Sequence, residues 1–179
     1  MGTLREATPA KLFVALMHRP AFDPGPLLAR LADRYGPLDS RGAPYPFGSS
    51  YYEAEMGPGL VKFFVSFGPQ FAQERLAGVK RETNRLEEGW AGLTGRLCNL
   101  DPGIVTHYSV IVATTKGYAH RIYLGEGIFA EPALLFRRGA LAALPWTYPD
   151  YQTPAAHGFF KEARRRLLEQ TAVSSAAPA

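Results

Sequence analysis

The sequence predicts an α+β protein with a ferredoxin-like β-α-β-β-α-β core, an antiparallel strand extension and a C-terminal helix. Three observations predict this class. Apolar runs of strand length alternate with helical patterns in the first half, turn signals separate strand candidates in the second half, and a helical pattern follows Pro154. A length of 179 residues fits one domain, which we expect over residues 1–171, with a flexible tail at 172–179.

The chain begins with a predicted strand and helix. Residues 12–17 are an apolar run rich in β-forming side chains, and prolines follow it closely. This indicates a buried strand. Asp23 and Pro24 are typical of a helix start, and leucines recur at helical spacing from there until Gly36.

An aromatic segment then leads to a second strand and a second helix. Residues 38–59 carry prolines and tyrosines in a pattern too irregular for a helix, so we expect an ordered loop or a broken strand. Residues 60–67 predict a strand with Lys62 on its exposed side, ended by Gly68 and Pro69. The amphipathic helix that follows should turn a solvated face of mixed charges outward, and this face includes Lys80 and Glu87.

The second half predicts antiparallel strands. The strand candidates are residues 97–100, 104–113, 119–124 and 128–136. Asp101-Pro102-Gly103 is interpreted as the turn between the first two, and Gly125-Glu126-Gly127 as the turn between the last two. Pro154 should then open the terminal helix.

Composition limits the compartment and the partners. The net charge of +4 permits a polyanionic partner without requiring one. Cys98 is the only cysteine, so a single chain forms no disulfide and no cysteine-based zinc site, and a reducing compartment fits best. The sequence has no apolar run long enough to span a membrane and no signal-peptide pattern, so we expect a cytoplasmic protein that binds no membrane.

Six short motifs occur in order along the chain. They are Lys11-Leu12-Phe13-Val14, Tyr51-Tyr52-Glu53-Ala54-Glu55-Met56-Gly57, Asn99-Leu100-Asp101-Pro102-Gly103, Ala113-Thr114-Thr115-Lys116, His120-Arg121-Ile122-Tyr123-Leu124-Gly125 and Trp146-Thr147-Tyr148-Pro149-Asp150-Tyr151. In this combination the chain resembles, over residues 11–168, the bacterial family known as domain of unknown function 4416. The resemblance implies no particular activity or cofactor.

A set of polar residues amid the apolar strands is the first candidate site. Lys116, His120 and Arg121 would form a cationic cluster beside threonine hydroxyls, which suits a phosphate or carboxylate group. The predicted ligand-binding residues are Thr114, Thr115, Lys116, Arg121, Tyr148 and Tyr151. We therefore expect a binding module for an anionic small molecule or a nucleic-acid segment. The alternative is architectural, with the cations capping loops or pairing with Asp101, Glu126 and Asp150.

A phosphoester hydrolase is the second hypothesis. His120 or His107 would act as general base or acid, and Asp101 or Asp150 would orient the histidine or a metal. The His107-Tyr108-Ser109 motif resembles one half of the two-histidine phosphoesterase signature, but the chain lacks a matching second half. The sequence therefore leaves enzymatic activity open.

Metal and nucleic-acid signals are weak. The sequence contains no pair of histidines at the i, i+4 spacing of helical metal ligands, so we predict no metal site. Arg164, Arg165 and Arg166 on the terminal helix could contact phosphates of a nucleic acid. Three adjacent residues spread around a helix, however, and a solvated face explains them equally well.

Overall fold

The structure is a computed structural model that describes residues 2–4, 6–91 and 95–176. Its strands are β1 (Ala10–His18), β2 (Leu38–Arg41), β3 (Tyr45–Phe47), β4 (Leu60–Phe71), β5 (Cys98–Val105), β6 (Ser109–Thr114), β7 (Ile122–Gly125), β8 (Ile128–Arg137) and β9 (Ala140–Ala143). Its helices are α1 (Gly25–Tyr35), α2 (Ser50–Met56), α3 (Leu76–Gly89) and α4 (Pro154–Ala176). The predicted α+β class with a C-terminal helix is confirmed.

The strands form one open antiparallel sheet with helices on both faces. Its order is β2-β4-β1-β5-β6-β8-β7, and β3 pairs with β4 while β9 pairs with β8. All nine residues of β1 are buried because the strand lies at the centre of the three layers. Leu12, Val14 and Leu16 pack with α1 and α3, whereas Phe13 and Ala15 pack on the opposite face with α4.

Two predicted breaks in strands are wrong. β4 continues through Gly68 and Pro69 to Phe71, because Pro69 falls where the register with β1 shifts and no ladder hydrogen bond is needed from its nitrogen. β5 likewise runs straight through Asp101-Pro102-Gly103, so this motif is not a turn. The turn lies after β5, where the Thr106 hydroxyl accepts hydrogen bonds from the backbone N–H groups of Tyr108 and Ser109, just before and at the start of β6.

Close packing explains the glycine inside β5. A Cβ on Gly103 would lie 2.3 Å from the carbonyl oxygen of Ile111 and 2.4 Å from the ring of Phe13. Gly125-Glu126-Gly127, in contrast, forms the predicted turn, and all three residues have positive φ angles. The two glycine-containing motifs therefore look alike in sequence and serve different structural purposes.

The aromatic segment is more regular than the sequence indicates. Residues 38–59 contain β2, β3 and the short helix α2, so the interpretation of this segment as too irregular for a helix is wrong. α2 forms because Met56 buries its side chain against Met17 and Leu60 at one end of the sheet. Strand β9 was also not predicted.

The terminal helix α4 extends to Ala176, past the predicted domain boundary at residue 171. Residues 177–179 at the end of the predicted tail lie outside the described residues. None of the helices in the described ranges is both long and apolar enough to cross a membrane.

Candidate functional site

The sheet opens between β5 and β6. Their ladder contains three residue pairs and ends at Gly103 and Val112. The next residue of β5 on the side facing β6 is Pro102, which has no N–H to donate to a longer ladder. β6 instead continues alongside β8 as far as the pair Thr114 and Phe129. A gap therefore separates the first half of β5 from the end of β6.

Two side chains of α3 bind the backbone of β5 that faces this gap. The N–H of Leu100 donates to Oε1 of Glu87 at 2.7 Å, and Nζ of Lys80 donates to the Leu100 carbonyl at 2.8 Å. Lys80 also pairs with Oδ1 of Asp101 at 3.1 Å. Seven positions along a helix are two turns, so Lys80 and Glu87 reach the same strand. They satisfy backbone groups that a neighbouring strand would otherwise satisfy.

The gap forms the floor of a cleft of about 430 Å³. Strands β3 to β6, helices α2 and α3, and the segment before α4 surround it. Its aromatic side chains are Phe47, Tyr51, Tyr52, Tyr148 and Tyr151. Its charged side chains are Glu55, Lys62, Lys80, Glu87, Glu88, Arg96, Asp101, Lys116 and Asp150. Pockets for small molecules are commonly about 300–1,000 Å³, so the cleft has a suitable size.

Ion pairs neutralise most of these charges. Lys62 pairs with Asp150 at 2.7 Å, and its ammonium lies 4.8 Å from the centre of the Phe47 ring. Arg96 bridges two carboxylates, one from α2 and one from α3, at 2.9 Å each. Together with the pair of Lys80 and Asp101, these pairs connect five parts of the fold: α2, α3, β4, β5 and the segment before α4. The cleft is therefore polar and preorganised, with little net charge.

Burial and charge act in opposite directions on the acids of the cleft. Burial alone would raise the pKa of Asp101, but the charges of Lys80 and Lys62 outweigh it and the pKa lies below the ordinary value. Burial dominates at Glu87, whose pKa is raised. Burial also raises the pKa of Tyr148 to about 12, so this phenol stays protonated at neutral pH.

The lowered pKa of Asp101 predicts a loss of stability in acid. The unfolded chain binds this proton near the ordinary pKa of about 3.9, whereas the folded protein binds it only at lower pH. The contribution of Asp101 is therefore complete only above about pH 5, where the unfolded carboxyl is ionised, and is lost as the pH falls through the folded pKa. Urea unfolding of wild type and Asp101→Asn between pH 2 and 6 should show a stability difference that shrinks below about pH 4. A difference independent of pH would contradict this prediction.

The cleft brings most of the predicted ligand-binding residues together. Thr114, Thr115, Lys116, Tyr148 and Tyr151 all line it. Both candidate aspartates line it as well, each held by a lysine.

Arg121 lies outside the cleft and supports its wall. Its guanidinium donates to the Tyr148 hydroxyl at 3.0 Å and to the Lys116 carbonyl at 2.8 Å. It also pairs with the buried Glu131 at 2.8 Å. Arg121 therefore positions Lys116 and Tyr148, which together with Tyr51 and Thr115 form the mouth of the cleft.

The two candidate histidines lie elsewhere. His120 binds Glu131 at 2.5 Å and stacks on Trp146, with ring centres 4.6 Å apart. The carbonyl of His107 accepts a hydrogen bond from Arg164 of α4 at 2.9 Å. Neither histidine is among the residues that line the cleft. The structure thus separates the histidines from Asp101 and Asp150.

The sequence pattern predicted that several side chains of the cleft are exposed to water. Lys62 and Lys80 are buried, at 7% and 5% exposure, and Glu87 is buried as well, so the predictions that they face water are wrong. The signal was present in α3, because Lys80 and Glu87 flank its apolar stripe two turns apart. A buried lysine and a buried glutamate on one helix need polar partners, and here these partners are the backbone of β5 and Asp101.

The arginines of α4 have partners in the protein. Arg165 pairs with Glu162 at 2.7 Å and with Glu169, and Arg166 pairs with Glu162 at 2.8 Å. Arg164 lies over the ring of Phe136 at 4.7 Å. These contacts favour the interpretation of the arginines as a paired helix surface.

The described residues contain no cluster of three or more His, Cys, Asp or Glu side chains that could hold a metal ion. Cys98 is buried in the sheet, and this burial raises the pKa of its thiol to about 12. The thiol is therefore protonated at neutral pH, a state in which cysteine is a poor nucleophile.

Comparison with known proteins identifies a family for the chain. No match was found among curated proteins or among solved structures. The model of a protein family described as a domain of unknown function, DUF4416, matches residues 8–167. This range includes every strand of the sheet, the residues of the cleft and most of α4. The chain therefore belongs to the domain of unknown function 4416 family.

Proposed function

We propose that the protein binds an anionic small molecule in the cleft, with the anionic group at Lys116. The observation that supports this best is the position of Lys116 at the mouth. Its ammonium lies 4.3 Å from the centre of the Tyr51 ring and donates to the Tyr51 hydroxyl at 3.2 Å. It takes part in none of the ion pairs of the described residues, so its charge is available to a ligand.

Neighbouring groups complete a small anion site. Thr115 is exposed beside Lys116, and the Thr114 hydroxyl accepts a hydrogen bond from the Lys116 N–H at 3.2 Å. Hydroxyl and ammonium donors on one short segment suit the oxygens of a phosphate or carboxylate. Tyr51 and Tyr148 also line the cleft, and their aromatic rings offer apolar surface to the body of a ligand.

A nucleic-acid segment and phosphoester hydrolysis have less support. The paired arginines of α4 offer few free charges to a phosphate backbone. A hydrolase in this cleft would have to use Asp101 or Asp150 without His120 or His107, because neither histidine lines it. Both aspartates are already held by lysines, which favours binding over proton transfer.

We also propose that the first part of the sheet is a ferredoxin-like core in a cytoplasmic protein. Supporting this are the order β2-β4-β1-β5 and the packing of both α1 and α3 on one apolar cluster. β3 and α2 would then be insertions, and β6 to β9 the extension. The buried, reduced Cys98 fits a reducing compartment.

Replacement of Lys116 tests the binding proposal. Wild type should bind phenyl phosphate and inorganic phosphate in isothermal titration calorimetry, and Lys116→Ala should raise the Kd about tenfold or more. The reason is the loss of a charge-assisted hydrogen bond worth about 1.5–3 kcal/mol. The thermal midpoint should hardly change, because Lys116 is exposed.

Lys161→Ala is the matched control, since Lys161 is an exposed lysine of α4 that does not line the cleft. It should bind both phosphate compounds as wild type does. Unchanged binding in Lys116→Ala, or an equal loss in both variants, would contradict the proposal.

A further inference from the structure

The charges of the cleft favour a ligand with one anionic group. Three of its four cations, Lys62, Lys80 and Arg96, are paired with carboxylates of the cleft. Lys116 is the one lining cation of the described residues that stands outside these pairs. The further charges of a polyphosphate would meet the acidic side chains of the cleft, with no other unpaired lining cation among the described residues to balance them. Such contacts between like charges cost binding energy, so the ligand should carry a single anion at Lys116.

The floor of the cleft offers donors and acceptors side by side. The Asn84 amide makes no hydrogen bond within the described residues, although it lines the cleft. Asp101 accepts one bond on each oxygen, from Lys80 at 3.1 Å and from Asn99 at 2.7 Å, so each oxygen keeps acceptor capacity. A hydroxyl group donates and accepts at once, and several hydroxyls would match this floor.

The geometry of the aromatic walls distinguishes between ring types. Tyr51 and Tyr52 meet edge to face at 88°, and Tyr148 and Tyr151 are tilted by 47°. Neither pair presents two parallel faces between which a flat base could stack. Tyr51 and Tyr148 are exposed, whereas Tyr151 is buried in the core, and a single exposed tyrosine face suits the C–H surface of a saturated ring.

We infer that the ligand is a phosphorylated sugar, with one phosphomonoester at Lys116 and sugar hydroxyls on Asn84, Asn99 and Asp101. This inference rests on the proposed function, because it places the phosphate at the same anion site. It adds the body of the ligand, which the polar floor selects. The shared chemistry, a phosphomonoester on a polyhydroxylated ring, occurs in free sugar phosphates and in nucleoside monophosphates.

Titration of the full chain with a set of phosphate compounds tests the inference. Ribose 5-phosphate or glucose 6-phosphate should bind at least ten times more tightly than phenyl phosphate or inorganic phosphate. Adenosine monophosphate separates the two sources: affinity above that of ribose 5-phosphate indicates a nucleotide, and affinity below it indicates a free sugar phosphate. Adenosine triphosphate should bind more weakly than adenosine monophosphate, and the reverse order would overturn the inference.

Asn84→Ala tests the floor without weakening the fold, because alanine is the better helix former. It should raise the Kd for the sugar phosphate about fivefold or more and leave the Kd for inorganic phosphate unchanged. Arg85→Ala, one position along α3 and outside the cleft, should change neither value.

The outcomes separate the two proposals. Equal affinity for phenyl phosphate and the sugar phosphates, or an Asn84→Ala variant that binds the sugar phosphate normally, would overturn the sugar assignment and leave the anion site standing. Failure of every phosphate compound to bind would overturn the proposed function and the sugar assignment together.

Discussion

Gly103→Ala is expected to destabilise the protein by more than about 3 kcal/mol. The new methyl group would lie 2.3 Å from the carbonyl oxygen of Ile111 and 2.4 Å from the Phe13 ring. The first neighbour is backbone of β6 and the second is a fully buried core side chain, so neither can move without disturbing the sheet. Urea unfolding followed by circular dichroism measures the loss.

Gly158→Ala in α4 is the control for this substitution. A Cβ at Gly158 meets no atom within 4 Å, and the residue is exposed inside a helix. The free energy of unfolding of Gly158→Ala should therefore exceed that of wild type by up to about 1 kcal/mol. If Gly103→Ala were as stable as wild type, the close contact between β5 and its neighbours could not be present.

Lys80→Met is expected to cost about 3–5 kcal/mol, the range for removing one partner of a buried ion pair. The variant leaves the Leu100 carbonyl without its donor and Asp101 without its nearest cation. The methionine fills a similar volume, so the loss reports polar contacts rather than a cavity. Chemical denaturation gives the free energy of unfolding.

A double-mutant cycle with Asp101→Asn identifies the cause. Without the carboxylate charge, Lys80→Met should cost less than it does in wild type, giving a coupling energy of about 1 kcal/mol or more. Additive losses would mean that Lys80 acts through Leu100 alone.

Features of the fold with a local signal were predicted from the sequence. Apolar runs located β1 and β8, and Pro154 located the start of α4. Asp101-Pro102-Gly103 was mistaken for a turn because proline and glycine favour turns locally. In the structure, Pro102 stands where the β5–β6 ladder ends, and Gly103 makes room for the ring of Phe13. Both roles depend on residues that are distant in sequence.

The candidate site was predicted in part for the same reason. Thr114, Thr115 and Lys116 stand out as polar residues at a strand end, and they do lie in the cleft. Lys80 and Glu87 were assigned to water because charged residues on a helix usually face it. The two side chains are buried because β6 does not pair with the first half of β5, and they bind the free backbone groups of Leu100 there.

The opening between β5 and β6 has a consequence for engineering the cleft. Lys80 and Asp101 line the cleft and also hold the sheet, so changes there risk the fold. The mouth is different, because Tyr51, Thr115 and Lys116 are exposed and attach to the rest of the protein by few contacts. Variants of the cleft that keep the fold should therefore be sought by randomising the mouth while Lys80 and Asp101 are kept constant.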